Sequence, residues 1–277
     1  MTRLKDAYFA REAPLETESE RLRALDAFYA APTRSWLEET VAFTPGMKIL
    51  EAGAGSGGML SWFAEKTGAH GDVLGLDIDL SRAAPPAPPV RHMQADLYAA
   101  PAEPEAFDLV YARLVLMHLP DPTRALDALS GWLKPGGVIA IADLDCSTCR
   151  PAEPDAPCAA EFAEAVETVR AAMVACELMD PAFGARLPAL LEQAGFQDVR
   201  ADPYERVIQG GSDWAEFMAH NNTIIGPLVG AAEAAETAAR HMRSPAMRFH
   251  DQTLVRVTAR KPEPGVDTRL AGAARPD

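Results

Sequence analysis

The sequence predicts a doubly wound α/β protein, and two observations carry that expectation. Between residues 47 and 145 short apolar runs alternate with segments of helical periodicity, and each run ends in an acidic residue or a glycine turn. Parallel strands need crossovers and are buried on both faces, so their runs read as apolar throughout rather than alternating.

Ahead of that core, residues 16–30 and 33–43 form two amphipathic stretches. Leu22, Leu25, Phe28 and Tyr29 recur at helical spacing in the first, and Trp36, Leu37 and Val41 in the second, which predicts an N-terminal helical layer over 1–44. The strands are then expected at 47–50, 73–76, 90–95, 107–112 and 137–142. After the fourth, Asp121 caps a helix, Pro122 fits its first turn, and Ala125, Leu126, Leu129 and Trp132 form its buried stripe. Pro135-Gly136-Gly137 is expected to stop it. A break at Pro151, Pro154 and Pro157 leads to helices over 159–179 and 183–194, the second ending at Gly195, and to a strand near 198–201. Residues 214–239 read as helical with an interruption at Gly226-Pro227, and 253–259 as a strand. One domain over 45–260, with a helical insertion at about 205–245 serving as a lid, is expected to precede a frayed tail over 261–277.

The chain has 277 residues, and its 26 Lys and Arg stand against 40 Asp and Glu, a formal charge of -14. That balance repels phosphate backbones, so the expected partner is a small molecule rather than nucleic acid, with a homodimer left open. No apolar run is long enough to span a bilayer and the first residues lack a signal peptide's apolar stretch, which predicts a cytoplasmic chain. The four cysteines, at 146, 149, 158 and 176, are too few and too clustered for a disulfide framework and are expected as thiols. Cys146 and Cys149 form a lone CxxC with no second pair, so no metal is expected.

The sharpest local feature is the run from Lys48 through Glu51, Gly53, Gly55 and Gly57 to Gly58, a buried strand entering glycines and then a helix. Glycines there turn the chain tightly and let a ligand approach main-chain N–H groups. Gly53, Gly55 and Gly58 also satisfy GxGxxG, so a nicotinamide dehydrogenase is an alternative at this point. Glu51 weighs against it, because a carboxylate ending the first strand repels a pyrophosphate and suits an ammonium. Asp77, 22 residues beyond Gly55, ends the second strand where a carboxylate can accept from both ribose hydroxyls, with Asp79 as its competitor. Asp96 ends the third run, where it can accept from an adenine amino group.

These signals, in this order, resemble the class I S-adenosylmethionine-dependent methyltransferases, and most of all their small-molecule branch of quinone-biosynthesis and natural-product enzymes. The likeness covers residues 45–145: the glycine turn, Gly75-x-Asp77, Ala95-Asp96, Phe107-Asp108-Leu109-Val110 followed by His118-Leu119-Pro120-Asp121-Pro122, and Leu133-Lys134-Pro135-Gly136-Gly137. Leu187 to Phe196 continues it. The resemblance implies a Rossmann-like, seven-stranded, mostly parallel sheet with an antiparallel final strand, and S-adenosyl-L-methionine as cofactor. It implies cofactor contacts from Glu51, Gly53, Gly55, Gly57, Asp77, Ile78 (packing on the adenine), Asp96, Leu97 and the backbone carbonyl of Arg113, whose side chain would point elsewhere. One departure is plain: Pro85, Pro86, Pro88 and Pro89 forbid the usual helix between the second and third strands and leave that side of the adenine pocket open.

Methyl transfer from a sulfonium needs alignment and exclusion of water, with neither metal nor covalent intermediate. A base within reach of the acceptor helps, and His118, just past the fourth strand, is the best-placed candidate, with a structural role as its alternative. His220 and His250 are secondary. Tyr8, Phe9, Tyr29, Trp36, Met173, Met179, Trp214, Phe217 and Met218 are candidates for an apolar acceptor pocket, most of them expected in the core, and Asn221-Asn222 for orienting a polar group. A catalyst of the same fold that holds the cofactor without donating its methyl, and a non-catalytic binding protein, remain the alternatives.

Overall fold

The computed structural model describes residues 15–81, 83–99 and 103–264; Tyr8, Phe9 and the expected tail from 265 onward lie outside the described residues. Seven strands form the central sheet: β1 (Lys48–Ala52), β2 (Asp72–Asp77), β3 (Val90–Gln94), β4 (Phe107–Arg113), β5 (Leu133–Asp145), β7 (Gln197–Tyr204) and β10 (Thr253–Arg260). Their order is β3-β2-β1-β4-β5-β10-β7. All neighbours pair in parallel except β10, which is antiparallel to both β5 and β7. This is the Rossmann-like, mostly parallel sheet expected, with residues 253–259 as its reversed strand.

The apolar runs work as argued. Along β1, Ile49 belongs to the core on one face of the sheet and Leu50 to the core on the other, because successive side chains alternate across a strand. The helices are α1 (Leu15–Thr40), α2 (Leu60–Thr67), α3 (Pro122–Trp132), α4 (Ala159–Ala175), α5 (Phe183–Gln193), α6 (Asp213–Leu228) and α7 (Ala232–Arg243). Asp121 caps α3 as expected, its Oδ1 accepting from the Arg124 N–H at 3.0 Å.

Three sequence expectations are corrected, and one element was not foreseen. The two N-terminal stretches are one helix, α1, running through Pro32. The interruption expected at Gly226-Pro227 within 214–239 falls later: Pro227 sits in the last turn of α6 and the chain breaks afterwards, where Gly230 takes φ +75, before α7 begins. Pro135-Gly136-Gly137 does not separate α3 from the next strand: β5 begins at Leu133 and carries these residues in a bulge, with pairing to β4 jumping from Leu133 to Val138. A small second sheet, β6 (Arg150–Pro151), β9 (Arg248–His250) and β8 (Val207–Gln209), was not foreseen, its strands being too short to show a period.

Two arginines dock α1. Arg256, buried in β10, donates from Nη1 to the Pro32 carbonyl (3.0 Å) and lies over the Trp36 ring. Arg206 pairs with the buried Asp251 (2.6 Å) and lies against Phe28, Tyr29, Tyr204 and Trp214, joining α1 to α6 through one guanidinium.

Candidate functional site

The strand order reverses between β1 and β4, so the chain leaves these neighbours toward opposite sides and opens a crevice at their carboxyl ends. A cavity of about 760 Å³ lies there, bordered by α1, the ends of β1 to β4, the turn after β5, α4 and α6. Its size is that of a ligand site.

Glu51, Gly53, Gly55, Asp77, Ile78, Asp96, Leu97, Arg113 and His118 all border it. Gly57 does not; its N–H donates to the Ala54 carbonyl at 2.8 Å, its φ of +81 lets the turn close, and it faces a separate hollow beside the proline-rich stretch. Trp36 is core, and neither His220 nor His250 reaches the cavity. Tyr29, Met173, Met179, Trp214, Phe217, Met218, Asn221 and Asn222 do line it.

Gly53 has φ +73, and a Cβ there would stand 2.3 Å from Val115 Cγ2, so only glycine fits between the two turns. The Gly55 N–H donates to Asp77 Oδ2 at 2.8 Å, while Asp77 Oδ1 accepts from the Asp79 N–H at 3.0 Å. Asp77 thereby ties the glycine turn to the end of β2 while keeping acceptor capacity on both oxygens. Asp79 also borders the cavity, and its Oδ1 accepts from the Ser81 N–H at 2.9 Å. Ile78 is not core: 58% of its surface is exposed, beside the exposed Asp96 and the buried Leu97.

Glu51 is 5% exposed and its Oε2 has no partner in the protein. Burial pushes its carboxyl up to about 8, against the opposing pull of the Arg113 guanidinium. The Arg113 side chain pairs with Asp26 of α1, which also accepts from Ser56 Oγ at 2.8 Å. Asp26 thus straps α1 across the glycine turn, a role missed in the sequence. Its signal was there, an acid on the Leu22, Leu25, Tyr29 face of an otherwise apolar stripe.

His118 ends a short helical turn, Leu116–His118, above β5. Burial, with the positive charge of Arg21 adding to it, lowers its pKa to about 4, so the imidazole is neutral at pH 7. Beneath the turn lies Asp143, fully buried. The N–H groups of Val115, Leu116 and Met117 favour its charged form without meeting it at full hydrogen-bond geometry, and burial dominates, raising it to about 8. Leu114 takes φ +56 to bring the turn over that carboxyl. Asp143 too was missed, its signal an acid ending the apolar run of β5.

Cys146 and Cys149 are buried free thiols on the wall, both held protonated by burial. Among the described residues no group of three or more His, Cys, Asp or Glu is placed to hold a metal ion, and no helix is long and apolar enough to cross a membrane.

A methyltransferase-domain family profile matches residues 23–201, more than half the chain. The chain is 31% identical over 190 residues to phosphoethanolamine N-methyltransferase 1 of Arabidopsis thaliana, covering 64% of this chain and 35% of that one. To methyltransferase str2 of Strobilurus tenacellus it is 41% identical over 101 residues, covering 35% and 36%. The chain thus spans about a third of the length of these curated relatives. Among solved structures, the YcgJ protein of Bacillus subtilis matches with a TM-score of 0.54 at 15% identity, over 83% of this chain and 97% of that one. A Bacillus halodurans chain assigned as a methyltransferase matches with a TM-score of 0.54 at 19% identity, over 82% and 98%. At that identity both speak for the fold alone.

Proposed function

The chain belongs to the class I S-adenosylmethionine-dependent methyltransferases, and on that premise we propose that it transfers a methyl group from S-adenosylmethionine to a small-molecule acceptor. The observation that carries this is the unpartnered Glu51 oxygen, a buried acid beside a bare glycine turn, whose proton an arriving ammonium would drive off to pair with the carboxylate, while a pyrophosphate would gain nothing from it.

The other residues fit the rest of the group. Gly53 and Gly55 leave the backbone open to close approach, Asp77 has acceptor capacity left for ribose hydroxyls, and Ile78 offers an exposed apolar face for the adenine. Asp96 and Leu97 border the same end, and the backbone carbonyl of Arg113 is a further acceptor for the ammonium. When bound, the cofactor supplies an electrophilic methyl group on a sulfonium.

The chain's own work is alignment, dryness and one proton. With the cofactor held there, the acceptor's lone pair would take the methyl carbon while the carbon–sulfur electron pair stays with sulfur. The proton displaced from the acceptor passes to the neutral imidazole of His118, whose cavity position and charge state suit a base. Trp214 and the walls of α4 and α6 exclude water from that exchange.

The test is mass spectrometry of a small-molecule extract incubated with the chain and S-adenosylmethionine. S-adenosylhomocysteine together with a compound heavier by one methyl is the expected result. Cofactor uptake without either product would favour a catalyst that holds the cofactor but leaves its methyl in place.

A further inference from the structure

Away from the nucleoside-facing acids the cavity is walled by α1, with Arg21, Leu22, Leu25 and Tyr29, and by two further helices. From α6 come Trp214, Phe217, Met218, Asn221 and Ile225, and from α4 Val166, Val169, Arg170 and Met173. Spacings of three and four residues put each set on one helix face. Both stripes are mostly apolar and each carries one methionine, Met218 on α6 and Met173 on α4, with Cys146 and Met179 beside them. Trp214 and Phe217 stack with centroids 4.8 Å apart at 16°, and with Phe28 set 4.1 Å from the buried Trp214, Phe217 is the less buried ring of the pair.

The one charged residue on these stripes is committed. Arg170 pairs with Glu167 and donates to the Ser147 carbonyl at 3.3 Å. A phosphate or carboxylate lying between the helices would exchange water for thioethers and rings without an uncommitted cation from either stripe. Thioethers and aromatic rings instead favour another ring. The polar exception is Asn221, whose Oδ1 is buried with no partner in the protein while its neighbour Asn222 donates to the Met218 carbonyl at 2.9 Å.

Resting on the methyltransferase reading above, we infer that the acceptor is an uncharged, largely apolar aromatic alcohol. It is seated between the Trp214–Phe217 surface and the methionines, with Asn221 reading its hydroxyl. This sets the chain apart from what the name of its Arabidopsis relative says that protein acts on, an acceptor with both a phosphate and an amine. In transfer, the hydroxyl proton would leave Asn221 Oδ1 for the His118 imidazole as the oxygen gains the methyl and the carbon–sulfur electron pair stays with sulfur.

The test uses the native chain saturated with S-adenosylhomocysteine and two probes, 1-naphthol and phosphoethanolamine, followed by titration calorimetry. Uptake of S-adenosylhomocysteine is measured first; its failure would sink the underlying reading and is seen separately from the probe result. The expected outcome is 1-naphthol binding at least about 10-fold tighter than phosphoethanolamine. Ile225→Glu, at a half-buried cavity position, should weaken 1-naphthol about 10-fold or more with S-adenosylhomocysteine uptake retained. Asn221→Leu should erase the preference for 1-naphthol over naphthalene. Phosphoethanolamine binding as tightly as 1-naphthol, no uptake of 1-naphthol at all, or 1-naphthol uptake indifferent to Ile225→Glu would each overturn the inference.

Discussion

Gly53 and Val115 stand so close that a methyl group on the glycine would lie 2.3 Å from Val115 Cγ2. They belong to the turns after β1 and β4, the two lips of the crevice at the strand-order reversal. Their contact sets the distance between the glycine turn, which faces Asp77, and the turn that carries His118.

Gly53→Ala carries two separable costs, the collision with Val115 and a left-handed φ. The variant should lose roughly 1–3 kcal/mol of stability. Adding Val115→Ala should return the collision part but leave about 1 kcal/mol from the backbone. Urea unfolding of the single and double variants measures both; full recovery in the double variant would contradict the left-handed assignment.

Asp77→Ala removes the group that receives Gly55 and the one proposed to hold the ribose. S-adenosylhomocysteine affinity should fall by about 1.5–3 kcal/mol, read by calorimetry on a variant shown to be folded. Unchanged affinity would reject the ribose role.

Glu51 sets a dependence on pH. With its folded carboxyl raised from 4.5 to about 8, the folded chain holds a proton that the unfolded chain has released, so this group's contribution to stability falls as pH rises between those values. Glu51→Gln should therefore stabilise the unliganded chain at pH 8.5 by roughly 1–3 kcal/mol while weakening cofactor binding. A thermal melt at that pH showing Glu51→Gln less stable than the native chain would contradict the burial argument.

His118→Ala should lower turnover about 10²-fold to 10⁴-fold with S-adenosylhomocysteine affinity nearly intact. With its pKa lowered to about 4, the imidazole stays neutral well below its usual range, so kcat at saturating cofactor should show no acid inflection near pH 6.5. The same shift costs the fold stability as pH drops from 6.5 toward 4, because there the unfolded chain binds a proton that the folded chain refuses. An inflection at 6.5 that is lost in the alanine variant would contradict the burial of His118, and turnover unaffected in that variant would demote it to a structural residue.

The core of this fold was legible because parallel strands buried on both faces must be apolar, so the acids Glu51, Asp77 and Asp96 marked both the ends of the runs and the edge where the cavity opens. Single positions could be read where one physical rule governed them, as with Asp121 at the cap of α3. Asp26 and Asp143 were not read. Each acts across a long stretch of sequence, Asp26 on Arg113 and Ser56, Asp143 under the turn at Val115, and no local period carries such a relationship. Gly57 was assigned to the ligand because turn-forming and ligand-facing glycines look alike until the backbone is seen. The break between α6 and α7 was misplaced for a related reason: Pro227 is tolerated in a helix's last turn, and Gly230 makes the actual stop.

The central claim is that the acid-edged crevice accepts S-adenosylmethionine and its demethylated product. Calorimetric titration of the native chain with S-adenosylhomocysteine, and separately with NADH, tests it most directly. One saturable site for S-adenosylhomocysteine, weakened by Asp77→Ala and absent for NADH, is the expected result. Saturation by NADH with no heat from S-adenosylhomocysteine would contradict it.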